Sequence, residues 1–108
     1  MSWVSQVRKG LLEVAVMNAL NGRRLYGYDI VRRLRPLDGL VIREANVYPI
    51  LSRMKTEGLV RTTLEQSPEG PARKYYELTA AGRRRLDEMN ETWERLATSL
   101  RRLREGDL

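Results

Sequence analysis

From Leu86 onward the apolar residues stand at Leu86, Met89, Trp93, Leu96, Leu100 and Leu103, separated alternately by three and four positions. That alternation is the a/d pattern of a helical seam, and no other feature restricts the possible folds as much. The seam spans 18 residues, which as helix is about 27 Å long. Thr79 is a suitable N-cap ahead of it. The flanking e and g positions, Asn90, Thr92, Ala97 and Ser99, carry no charge. A solvent-exposed two-stranded coil usually places charges there, so this helix is expected to pack against more than one neighbour.

The rest of the chain divides into shorter elements. Val4 to Leu20 reads as a helix, with Val4, Val7, Leu11, Val14 and Ala15 at helical spacing and Asn21-Gly22 as its stop. A second helix is expected from about Tyr26 to Arg35, with Ile30, Val31 and Leu34 inward and Pro36 beyond its end. Gly27, near its start, permits close backbone approach. Leu40-Val41-Ile42 reads as a minimal strand. A third helix is expected to be capped by Asn46, with Pro49 in its first turn and Gly58 at its end. Its inner stripe is Val47, Ile50, Leu51 and Met54. Two runs of β-formers follow, Leu59 to Glu65 and Arg73 to Thr79, joined by the loop residues Gln66 to Ala72.

Helix, helix, short strand, helix, hairpin and long helix is the order of a winged helix-turn-helix. The expected fold is mainly α. Residues 1–78 form the winged helix and residues 79–108 the long C-terminal helix, as one compact unit.

Charge points to a partner class. Lys and Arg number 20 against 14 Asp and Glu, a net charge of +6. Residues 22–61 hold nine basic side chains and four acidic ones, so most of the excess lies in the middle of the chain, in the block that contains the second and third helices. A localised basic block fits a polyanion. Arginine supplies 17 of the 20 cations, and its planar fork suits phosphate and guanine edges. The third helix is then the recognition helix, entering the major groove of double-stranded DNA. Arg43, Asn46, Tyr48, Ser52, Arg53 and Lys55 are its candidate DNA-binding residues, and Arg73 and Lys74 those of the wing. Asn46 serves either as a cap or as a reader of adenine.

Catalytic chemistry has little to work with. The chain has no Cys and no His, and no Gly-rich phosphate loop or metal-ligand spacing. Neither an enzyme nor a metal or other cofactor is expected. No apolar run approaches the roughly 20 residues that span a bilayer, and the N-terminal MSWVSQVRKG lacks the apolar core of a secretory signal. A cytoplasmic protein is expected.

Four stretches carry a family resemblance: Tyr26-Gly27-Tyr28-Asp29; Asn46-Val47-Tyr48-Pro49-Ile50-Leu51-Ser52-Arg53-Met54; Glu57-Gly58-Leu59-Val60; and Arg73-Lys74-Tyr75-Tyr76-Glu77-Leu78-Thr79-Ala80-Ala81-Gly82. In this order and spacing the chain resembles the PadR family of bacterial transcriptional regulators, in its short subfamily with a single C-terminal helix. The resemblance implies a dimeric winged helix, usually a repressor, in which the C-terminal helix makes much of the dimer. Leu86, Met89, Trp93, Leu96, Leu100 and Leu103 then become the dimer interface, and the partners are a pseudo-palindromic operator and a second copy of the chain. It further implies a phosphate contact from the Tyr48 hydroxyl. At Trp93 it implies an effector-binding site, with a planar aromatic small molecule sandwiched between the two copies. The simpler reading of Trp93 is packing in the seam. Trp3 lines the same region if the first helix packs on the last. The family often has Thr where this chain has Asn46, and Pro or Ser with a preceding Gly where it has Glu44-Ala45. The alternative functions are a winged-helix protein-protein adaptor and an RNA-binding basic module.

Overall fold

The computed structural model describes residues 2–108. Helix α1 (Trp3–Ala19) begins at Ser2, whose hydroxyl accepts a hydrogen bond from the Ser5 N–H at 3.2 Å. Leu12, Val16 and Met17 are buried along it, and Leu20 just past its end. The chain reverses at Gly22, with a φ of 72°, the left-handed conformation that glycine adopts without a steric penalty. Strand β1 (Leu25–Tyr26) leads directly into α2 (Gly27–Leu34), which buries Ile30, Val31 and Leu34 as its spacing predicts.

Leu40-Val41-Ile42 forms no strand. Its place at the sheet edge is held by β1, which pairs antiparallel with the second strand of the hairpin, Leu25 opposite Tyr76 and Tyr26 opposite Tyr75. Val41 instead takes a φ of 55°, strained for a β-branched residue. Ile42 packs against the core.

Helix α3 (Glu44–Thr56) begins earlier than expected, and its N-cap is Arg43 rather than Asn46. The Asn46 side chain instead reaches back from the first turn. Its Oδ1 accepts from the Arg43 N–H at 3.0 Å and its Nδ2 donates to the Val41 carbonyl at 2.9 Å. This is the reciprocal half of a capping box, and it ties the strained loop to the helix. Pro49 consequently lies in the second turn, where its missing N–H leaves the carbonyl of exposed Ala45 without an intrahelical donor.

Strands β2 (Val60–Glu65) and β3 (Arg73–Leu78) form the hairpin, running in register from Val60 opposite Leu78 to Glu65 opposite Arg73. The sheet order is β1-β3-β2. Helix α4 (Ala80–Arg104) starts at Thr79, whose hydroxyl accepts from the Gly82 N–H at 3.0 Å and donates to the Gly58 carbonyl at 2.7 Å.

One core joins all these elements. It includes Leu86, only 3% exposed, and this corrects the expectation that Leu86 belongs to a dimer interface. The first turns of α4 sit on the body, so the first seam residue is consumed by the protomer's own core, and Met89 packs partly against it. Farther along, Leu96, Leu100 and Leu103 are 56%, 65% and 61% exposed. The molecule measures 58 × 28 × 22 Å. Among the described residues no helix is long and apolar enough to cross a membrane.

Candidate nucleic-acid interface

Helix α3 is held by its buried stripe of Val47, Ile50, Leu51 and Met54. Geometry then dictates what it shows to solvent. Ala45, Pro49, Ser52 and Thr56 follow one another at helical spacing on the opposite side, and all are exposed. This outer face is small and uncharged, which charge counting did not anticipate. Arg43 and Lys55 are exposed at the two ends of the helix.

Tyr48 lies on one flank. Its ring rests on Gly27 at the start of α2, so close that a Cβ at position 27 would stand 2.5 Å from Tyr48 Cε1 and 3.1 Å from its hydroxyl oxygen. Gly27 therefore permits the approach its position suggests. Tyr48 remains 36% exposed. Burial, and then the negative charge of Glu44, push its phenol pKa up. Above the ordinary value near 10, the group stays protonated at neutral pH and its hydroxyl is a hydrogen-bond donor.

Arg53 lies on the other flank, and its guanidinium pairs with Glu13 of α1. It thus ties α3 to α1, an attachment no local pattern announces because the partners are 40 residues apart. Asn46 is likewise engaged, through both polar atoms of its amide.

The outer face of the sheet carries an alternation of cations and rings. Arg24 lies 4.5 Å from the Tyr75 ring centroid, Tyr75 meets Tyr26 edge-on at 5.8 Å, and Arg73 lies 4.6 Å from the Tyr26 ring. Arg24 also pairs with Glu65, a hydrogen bond that raises its already high pKa. Such cation–ring contacts orient the guanidinium planes along the wing. Arg73 is therefore positioned and exposed, and Lys74 is exposed beside it. The sequence reading missed Arg24, since only the register of β1 against β3 brings it to Tyr75. On α2, Arg32 and Arg35 flank the exposed Tyr28 ring at 5.7 and 5.6 Å.

A second surface lies between α1 and α4. A reciprocal amide pair links the helices, Asn18 Nδ2 to Asn90 Oδ1 at 2.9 Å and Asn90 Nδ2 to Asn18 Oδ1 at 3.0 Å. Beside it runs an open groove of about 530 Å³, whose apolar lining includes Val7, Leu11, Val14, Met89, Trp93 and Leu96. Trp93 is 42% exposed at its edge. The first helix thus does pack on the last, but Trp3 is not part of the groove's lining. Among the described residues no cluster of carboxylates suited to a metal occurs.

Comparison with known proteins places this architecture. Residues 16–88 match the profile of the Transcriptional regulator PadR-like family. A PadR-like transcriptional regulator from Bacillus cereus is 34% identical, over 91% of this chain and 95% of that one, with a TM-score of 0.80. A PadR family transcriptional regulator from Eggerthella lenta is 30% identical over 94% and 88%, with a TM-score of 0.81. Bacillus subtilis PadR, in a structure with operator DNA, is 25% identical over 72% of this chain and 45% of that one, with a TM-score of 0.65. The hairpin is accordingly the wing of a winged helix, and the chain belongs to the PadR-like family of transcriptional regulators, which are not enzymes.

Proposed function

We propose that the protein is a homodimeric repressor that binds a pseudo-palindromic operator. The observation that carries this reading is α3 itself, a helix fixed to the core along one face and bare along the other, next to a wing with oriented cations. The solved complex of Bacillus subtilis PadR with operator DNA supports the same partner class. In this reading α3 enters the major groove. The small side chains of Ala45, Pro49, Ser52 and Thr56 let its backbone approach the base edges, and the Ala and Thr methyl groups meet thymine methyls. Arg43, Lys55 and the Tyr48 hydroxyl bind phosphates alongside, and Arg73 and Lys74 bind the backbone at the wing. Ser52 faces the bases. Asn46 and Arg53 act from behind, by holding the helix start and by docking the helix on α1.

Duplexes from the protein's own promoter region, titrated between about 50 and 200 mM salt, test this reading. Affinity should fall by roughly a hundredfold or more if several phosphates are neutralised. Tyr48→Phe should weaken binding about fivefold per half-site, the loss of one hydrogen bond, without changing the melting temperature. Salt-insensitive or absent binding would favour the adaptor.

Two copies pair through the exposed Trp93, Leu96, Leu100 and Leu103, with the groove between α1 and α4 at the join. An apolar stripe of this length on a monomer marks an interaction surface. An effector between the α4 helices releases DNA through its differential affinity for two dimer states. A planar cationic dye should quench tryptophan fluorescence, and Trp93→Leu should abolish that quenching while the dimer persists. Quenching retained in the variant would move the site away from Trp93.

A further inference from the structure

Helix α1 borders a second groove on its other flank, against α3 and the loop before it. This groove, of about 640 Å³, falls within the size range of small-molecule sites. Its character differs from that of the apolar groove at α4. Its lining combines an apolar part, the buried Leu12 and Ile50 with the exposed Val41, and three cations, Arg8, Lys9 and Arg43. Arg53 also reaches it but is neutralised by Glu13. No carboxylate lines it among the described residues. Arg8 donates from Nε to the Gly39 carbonyl at 2.6 Å, and among the described residues its terminal amino groups make no hydrogen bond. Three cations with no ion-pair partner among the described residues, beside apolar side chains, call for a ligand with both parts, and a dianionic phosphate satisfies two or three such donors.

The geometry points to this groove as a second small-molecule site, one that takes an amphipathic organic phosphate, with its apolar body on Leu12, Val41 and Ile50 and its phosphate on Arg8, Lys9 and Arg43. A nucleic-acid backbone has no use for the apolar side chains. The site borders the first turns of α3, since Arg43, Ala45, Asn46 and Pro49 also line it. Occupancy and duplex binding therefore exclude one another, a coupling that rests on the DNA-binding reading, whereas the site does not.

Equilibrium dialysis of the full chain with 2-naphthyl phosphate tests the site, with 2-naphthol and inorganic phosphate as its two halves. The expected result is that the phosphate ester binds about tenfold tighter than naphthol, as a charge-assisted contact implies, and that inorganic phosphate at equal concentration does not displace it. Arg8→Gln with Lys9→Gln should weaken the ester about tenfold and leave naphthol unchanged. Lys9→Gln alone, at an exposed position, should weaken it about threefold without affecting folding. Trp93→Leu should retain ester binding. Equal binding of ester and naphthol, displacement by inorganic phosphate alone, an unaffected double variant, or loss in Trp93→Leu would each overturn the proposal. Loss of duplex affinity in the double variant with no ester binding by the parent would assign these cations to the DNA backbone instead. Promoter duplex should also compete with the ester, and an absence of competition alongside intact ester binding would overturn the coupling.

Discussion

Leu100→Arg is expected to yield a folded monomer, whereas Leu86→Arg, two heptads earlier on the same seam, is expected to yield no folded protein. The two leucines share a helix and a periodicity but not an environment. Leu86 is 3% exposed within one protomer and Leu100 is 65% exposed. An arginine forced into the core at 86 leaves a charge without a partner and removes a large apolar contact, a loss of about 4 kcal/mol or more. That is a large share of the roughly 5–15 kcal/mol by which a domain is stable. At position 100 the same residue costs the protomer little, because nothing of its own covers the site. Across the proposed two-fold interface the change occurs twice. At about 2 kcal/mol for each leucine withdrawn from an apolar contact, the dimer dissociation constant should rise by roughly a thousandfold. Sedimentation velocity and circular dichroism separate the outcomes: Leu100→Arg should halve the mass and keep its helicity. An undiminished mass would show that α4 does not pair the copies.

Gly82→Ala should destabilise the fold by about 2–3 kcal/mol, the cost of overpacking a rigid site. A Cβ at position 82 would run into the backbone carbonyl oxygen of Leu59, with the Leu78 side chain 3.3 Å away. Neither obstacle yields easily. The Leu59 carbonyl is fixed by the Thr79 N–H at 3.1 Å, and Leu78 is buried. Gly82 is thus where the long helix presses against the start of the wing. Relief requires α4 to move away, which would uncover Leu86. The melting temperature should fall by roughly 10 °C or more for a domain of this size. An unchanged melt would mean that α4 is free to shift, and the junction would then not be the rigid support assigned to it.

Much of this was legible along the chain. The inner faces of α2 and α3 followed from spacing, and so did the Thr79 cap, since these depend on residues three or four positions apart. The sequence around Asn46 marks a helix start, but the cap is three residues earlier, at Arg43. An amide two or three residues inside the helix, reaching back, carries the same local signature as one at the cap. Leu25–Tyr26 gave no sign of being a strand because two residues have no period, and Leu40-Val41-Ile42 gave a false one. The site was less legible. Arg53 and Lys55 look alike in sequence, yet only Arg53 finds Glu13 on a different helix. Arg24 gains its place beside Tyr75 through strand pairing. Arg8, Lys9 and Arg43 come to line one groove only because α1 packs on α3.

The sequence by itself determined the four helices and the hairpin, their order, the winged-helix class and the existence of an apolar seam, because periodicity, caps and breakers act over a single turn or a single strand. Tertiary structure alone decided which seam residues the protomer keeps and which it leaves uncovered, and which arginines are paired and which face outward. Those outcomes turn on distances between residues far apart in the chain, set by how helices and strands pack around a shared core.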